Sequence, residues 1–253
     1  MSSPSTPTPQ DLVEAGLAAS TADACIVLVE VSASANLRWA NNTLTTNGLV
    51  HGGDITAISF VAGASGTATA SVSRSGTTVE AVRDVVAAAD AAARGTDAAE
   101  DAAPLIEGDA DADWLEPPAT TSISVFDTFA PALGEAFGRA GASERVLYGY
   151  VEHTVDTVYL GSTTGLRRRH VQPMGHVGVT GKSSDLTRSA WVGQATRDFS
   201  DVDALGLDAE LERRLGWAER SIDLPAGRYP TILPPAAVAD LMIYAYWVAG
   251  GRD

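Results

Sequence analysis

The sequence predicts an α+β fold in which antiparallel sheets carry helices packed on one face, arranged as two subdomains. Three observations predict it. Short segments of good strand propensity follow one another at hairpin spacing between residues 24 and 73, and again between 145 and 196. Each series is accompanied by an amphipathic helical stretch, over 77–93 and 124–140. An acidic, Ala/Asp-rich connection over 96–120 separates the two series. Runs of strands with segregated helices give an α+β layer arrangement rather than a parallel α/β sheet.

Taken in order, residues 1–9 are rich in Ser, Thr and Pro and read as a loose tail. The first subdomain covers 10–95. It opens with a short helix over Leu12–Ala19 and an apolar strand over Ala24–Ser32, interrupted only by Glu30. Further strands are expected over Asn36–Ala40, Leu44–Val50, Asp54–Val61 and Thr67–Ser73, separated by turns at Asn41-Asn42, Gly52-Gly53 and Gly63–Gly66. In the helix that follows, Val79, Val82, Val85 and Val86 share one face.

The linker over 96–120 contains Asp109, Asp111 and Asp113 in alternation, as at the start of a calcium loop. The pattern lacks the glycine at the sixth position, and Thr120 stands where the closing glutamate is required. The second subdomain covers 121–222. Its helix over Ser124–Ala140 places Phe126, Phe129, Leu133, Ala136 and Phe137 at helical spacing, a core pattern. Strands are expected over Arg145–His153, Thr157–Ser162, Leu166–Val171, Gly175–Thr180 and Arg188–Thr196, then a charged helical stretch over Asp201–Arg220. Residues 223–253 read as a turn at Pro225–Pro230, a short strand at Tyr229–Leu233, and a mostly apolar helix entered through Pro234-Pro235. Asp240 is that helix's only charge.

Composition narrows the function. A formal charge of -15 excludes a phosphate-binding surface as the main feature, so no nucleic-acid partner is expected. No apolar run approaches membrane-spanning length and the N-terminus lacks a basic and an apolar region, so no membrane partner and a cytoplasmic location are expected. The single cysteine, Cys25, sits in the apolar run ACIVLVEV and reads as a buried core residue. Walker A, GxGxxG and GxSxG patterns are absent. Of the four histidines, no pair has the spacing of HExxH; His170 and His176 were they to meet would do so across a hairpin around Pro173, with no third ligand marked. Arg167, Arg168 and Arg169 form the one basic cluster. Strand geometry allows at most two of them on one face, either compensating nearby carboxylates or, for Arg167 and Arg169, contacting a partner subunit or an acidic substrate segment.

The most distinctive stretch is LPAGRYPTILPPAAVADLMIYAY, residues 224–246. It resembles the junction between the middle and C-terminal domains of the TldD/PmbA metallopeptidase family, in its TldE (PmbA) branch. RWANNTLTTNGL resembles the family's N-terminal domain and YLGSTTGLRRRH a family signature, while RDFSDVD and LERRLGWAER are similar to segments of its TldE-type sequences. In the TldD branch the corresponding strand runs into a HExxxH helix that holds zinc. Here Pro234 and Ala239 stand where the histidines would be and Pro235 where the glutamate would be. The resemblance implies no catalytic or metal-binding residue and no cofactor in this chain. It implies zinc in a TldD-like catalytic subunit as partner, with peptides or small unfolded proteins as substrate. It also implies that 223–253 begins a C-terminal domain cut short, leaving Leu241, Met242, Ile243, Tyr244, Tyr246 and Trp247 as an apolar patch prone to self-association. A stand-alone binding or scaffold domain is the alternative.

Overall fold

In the computed structural model, residues 7–64, 66–99 and 103–249 are described. The chain forms two compact units, Met1–Glu219 and Arg220–Asp253. The first unit holds helices α1 (Pro9–Ala19), α2 (Val79–Arg94), α3 (Phe129–Ala142) and α4 (Ala204–Trp217). Its strands are β1 (Ala24–Ala40), β2 (Thr43–Gly63), β3 (Gly66–Ser75), β4 (Arg145–Ser162), β5 (Arg167–Ser183) and β6 (Ser189–Thr196). These six form one antiparallel sheet in the order β3-β2-β1-β4-β5-β6.

The α+β class is as expected. Strands from both expected subdomains join in that one sheet through β1 and β4, which pair from Ile26↔Ser162 to Trp39↔Gly149. The buried residues of this unit form two apolar clusters laid end to end along the same strands. In β1 the odd-numbered residues all face the helices: Cys25, Val27 and Val29 pack with α1 and α2, whereas Ala35, Leu37 and Trp39 pack with α3 and α4. The period of two puts every second residue on that face; among the described residues of this unit the other face carries no helix.

Local chemistry explains the ends of the elements. Thr8 and Asp11 form a capping box at α1, with Thr8 N donating to Asp11 Oδ2 at 2.9 Å and Asp11 N to Thr8 Oγ1 at 3.1 Å. Pro9, expected in the tail, is therefore the first residue of α1, where its missing N–H is harmless; residues 1–6 of that tail lie outside the described residues. Thr78 caps α2 and Asp203 caps α4. Asn41 and Asn42 have φ of 50° and 57°, the left-handed pair that a two-residue hairpin requires. Asn42 also reaches β4, accepting from Leu147 N at 2.7 Å and donating to Arg145 O at 2.9 Å.

Several expected breaks are not there. Gly52-Gly53 lies inside β2 rather than in a turn, and Pro173 lies inside β5. β6 pairs with β5 only from Gly175 to Lys182, so Pro173 sits where the outer edge has no strand partner and its missing N–H costs no ladder bond. The helix expected over 124–140 is split into a 3-10 turn, Ile123–Phe126, and α3. Tyr229–Leu233 in the second unit is not a strand, and that unit's helix α5 (Pro235–Val248) starts at the expected proline pair. Among the described residues no helix is long and apolar enough to cross a membrane.

Two buried polar groups fasten the helices to the sheet. Asp90 on α2 is 2% exposed and accepts from Ser59 Oγ at 2.5 Å, Thr21 N at 2.6 Å, Thr21 Oγ1 at 2.9 Å and Ser20 Oγ at 3.0 Å. Arg145, at the start of β4, pairs with Asp208 on α4 at 2.6 Å, both side chains buried. A buried charge is tolerated only when it is partnered in this way.

Burial alone would raise the Asp90 carboxyl, but the donors from Ser59, Thr21 and Ser20 outweigh it and hold the group below the ordinary carboxylate range. A depressed acid stabilises the fold above its unfolded pKa, and that contribution disappears as pH falls through the folded value. Asp90→Ala is expected to cost about 2–3 kcal/mol at neutral pH by stranding buried donors. Urea unfolding at pH 7 and in acid checks this, the gap between variant and parent narrowing in acid.

Candidate functional site

The face of the sheet without helices is the candidate site. Strand alternation populates it with the even-numbered residues of β1 and β4 and their cross-strand neighbours. In β1 these are Glu30, Ser32, Ser34, Asn36 and Arg38, a run of polar side chains opposite the apolar odd positions. In β4 they include Tyr150, Glu152, Thr154 and Asp156, and in β5 Arg168, His170, Gln172 and His176.

Three carboxylates from adjacent strands meet near its middle. Glu30 on β1 lies opposite Asp54 on β2, and Asp156 on β4 pairs with Ser32 one diagonal step away. Burial, then Asp156 and Asp54, raise the Glu30 carboxyl above its ordinary value. Toward the Asn41-Asn42 turn the face becomes a hydrogen-bonded aromatic cluster. Glu152 Oε1 accepts from Tyr150 Oη at 2.9 Å and from Ser34 Oγ at 3.0 Å. The Arg38 guanidinium stands 5.3 Å from the Tyr150 ring centroid, and the His176 ring 5.6 Å from it. Burial and the Glu152 carboxylate push the Tyr150 phenol up to about 12, so it stays protonated and donating at neutral pH. The result is a polar surface with fixed donors and acceptors and a local excess of negative charge, suited to polar or cationic groups of an extended ligand.

The residues singled out from sequence fall elsewhere. Arg167 and Arg169 point to the helix side, one residue out of phase with Arg168. Arg167 makes a two-pronged pair with Glu14 of α1, at 2.6 and 2.8 Å. Arg169 binds Asp113 Oδ2 at 3.1 Å and Pro117 O at 2.8 Å, and lies against the Tyr159 ring. Arg168 bridges to Asp111 at 3.1 Å and donates to Asp109 O at 2.7 Å. The three arginines thus tie the acidic connection to the edge of β5, where Asp111 N also donates to Arg167 O at 2.9 Å. The alternating aspartates expected as a weak calcium-loop likeness are engaged by this cluster.

The hairpin expected to bring His170 and His176 together around Pro173 does not exist. Both lie on β5, on one face and about 20 Å apart at the rise of a strand. His153 is buried on the helix side, where Nδ1 meets Thr121 Oγ1 at 2.7 Å and Nε2 meets Arg197 O at 2.9 Å, a tie between two loops. In the second unit, Pro234 is the N-cap of α5, Pro235 its first residue and Ala239 an interior one. None of the three has a lone pair to offer a metal, so the residues at these positions do not fit a zinc ion. Among the described residues no group of three or more His, Cys, Asp or Glu side chains is placed to hold one.

No protein-family model matches the sequence, and no curated protein matches it. Solved structures do match. TldE from Thermococcus kodakarensis superposes with a TM-score of 0.61 at 16% identity, over 83% of this chain and 48% of that one. A "modulator of DNA gyrase" from Thermotoga maritima matches at 0.54 and 13% identity, over 81% of this chain and 46% of its own. A second protein so described, from Bacteroides thetaiotaomicron, matches at 0.54 and 12%, over 82% and 48%. The chain spans about half the length of these structures and shares their fold, which is the fold of the family that its sequence motifs resemble.

Glu30→Gln is expected to stabilise the fold at pH 7 by about 0.5 kcal/mol, the usual scale of like-charge contacts across strands. Because the folded-state acid is raised, its ionisation opposes folding once pH exceeds the ordinary carboxylate range, and the gain should vanish below that range. Thermal melts of the two proteins at pH 7 and pH 4 test both statements.

Proposed function

We propose that the chain is a member of the TldE (PmbA) branch of the TldD/PmbA family and acts as a non-catalytic subunit beside a TldD-type zinc metallopeptidase in the cytoplasm. The observation that carries this reading is the likeness to TldE from Thermococcus kodakarensis over 83% of the chain. The donor chemistry supports the division of labour. Pro234, Pro235 and Ala239 cannot supply the two imidazoles and the carboxylate of a HExxxH site, so zinc and the attacking water belong to the partner.

This chain's own contribution is then a surface. The open face of β1, β4 and β5 supplies a wall of fixed polar groups, with Glu30, Asp54 and Asp156 at its centre and Tyr150, Glu152 and Arg38 at one end. Such a wall suits an extended peptide or small unfolded protein, whose main chain presents many donors and acceptors to be matched. Arg167 and Arg169 enter the same reading as contacts to the partner or substrate, Arg169 through the acidic strap that it holds against β5 and Arg167 beside Glu14 of α1.

Co-purification with a TldD-type subunit, followed by peptide hydrolysis with and without a chelator, tests the proposal. The expected result is a stable complex, with chelator-sensitive hydrolysis in the mixture and none from this chain alone. Hydrolysis by this chain alone overturns it, and failure to bind favours an independent binding or scaffold domain. Within the complex, reversing the charge of Arg167 and Arg169 together is expected to weaken association by about tenfold, the scale of losing a charged contact across an interface. Unchanged binding removes these residues from the interface.

A further inference from the structure

Part of β2 is a long unpaired edge of the sheet. β3 covers β2 only from Asp54 to Gly63, so Thr43–Gly53, eleven residues of β2, have β1 on one side and, among the described residues, no strand on the other. The direction of its main-chain groups follows from one hydrogen bond. Gly53 O accepts from Gly76 N at 2.9 Å, on the β3 side, and alternation then turns the N–H and C=O of His51, Leu49 and Asn47 to that same open side.

Natural edge strands are protected by lysine, proline, inward charges or brevity. This segment, TLTTNGLVHGG, carries no Lys, Arg, Asp, Glu or Pro, and it exposes Leu44, Leu49 and Val50 by about half of their surface: 48, 53 and 57%. Beside its end, on the helix side, lies a cavity of about 460 Å³ with mostly apolar walls, formed by Leu12, Val29, Val31, Pro9 and Pro118 together with His51–Gly53. An unprotected ladder with a side-chain pocket alongside is the combination by which strands of other chains are captured: main-chain bonds supply affinity, and the pocket selects alternate side chains.

We propose that Thr43–Gly52 of β2 is a docking edge for an extended, non-acidic polypeptide segment, which adds as an antiparallel strand in line with β3 and places an apolar side chain in the Leu12/Val31 pocket. Charge selects this occupant over a second copy of the chain, because two molecules of formal charge -15 repel while the edge itself carries no Asp, Glu, Lys or Arg. The choice of polypeptide as ligand rests on the function proposed above. The edge and its pocket do not depend on a catalytic partner.

The test is fluorescence anisotropy of the full chain with a fluorescein-labelled peptide of alternating valine and threonine and a lysine at each end, about nine residues long to match the edge. Saturable binding is expected, and N-methylation of alternate peptide amides should weaken it about tenfold or more by deleting ladder bonds while the protein is unchanged. Leu49→Pro removes an N–H that β1 does not use, and Val31→Phe fills the pocket; each should weaken the unmethylated peptide on the same scale. No binding, or equal binding of the methylated peptide, overturns the proposal. So does a dimer, seen by sedimentation, that Leu49→Pro abolishes, since a second copy would then own the edge. None of these outcomes bears on co-purification with a TldD-type subunit, which is measured separately.

Discussion

The structure of the first unit depends on the pairing of β1 with β4. These strands are separated by more than a hundred residues of sequence, yet they run together from Ile26↔Ser162 to Trp39↔Gly149. Everything else is placed by reference to them: β2 and β3 extend the sheet on one side, β5 and β6 on the other. Two close approaches hold the helix face. Trp39 lies over Gly149 so tightly that a Cβ there would overlap the indole and the Gly178 carbonyl, and Val13 and Leu17 of α1 lie over Gly161 in the same way. Both glycines are in β4, so one strand receives the large side chains of both apolar clusters.

Much of this was legible in the sequence, for identifiable reasons. The strands expected over 24–32 and 36–40, which join in β1, and the valine spacing in 79–86 reflect the same buried face seen from strand and helix, and Asn41-Asn42 needs a left-handed turn that few other pairs adopt as easily. What misled were residues whose local preference is overridden by neighbours. Gly52-Gly53 resembles a turn, but β1 continues opposite it and the ladder is not broken. Pro173 resembles a hairpin, but the strand edge there is free, so proline is compatible with the strand. Tyr229–Leu233 has strand propensity and no pairing strand, and propensity without a partner does not make a sheet.

The open polar face was harder to foresee. Its acidic centre joins residues 30, 54 and 156, and no local pattern links them. A signal did exist in Glu30, Ser32, Ser34, Asn36 and Arg38, where every second position is polar across a strand whose other positions are apolar. It marks a face exposed to something other than a helix. The arginine run was visible at once, but its partners were not. Asp109, Asp111 and Asp113 are a locally repulsive series, and Arg168 and Arg169 supply the opposite charge while the main-chain carbonyl of Arg167 accepts from Asp111 N, which together lay the strap along β5.

The shared strands have a consequence for the modularity of the chain. Although the chain reads as two α+β pieces joined by an acidic connection, the hydrogen-bond ladder between β1 and β4 crosses from one piece to the other over nearly its full length. A cut within that connection would leave each fragment with its widest strand stripped along one side and its apolar cluster half roofed. Each piece therefore depends on the other for the hydrogen bonds along one side of its longest shared strand. The acidic connection lies along β5 as a strap, held there by Asp111 and Asp113.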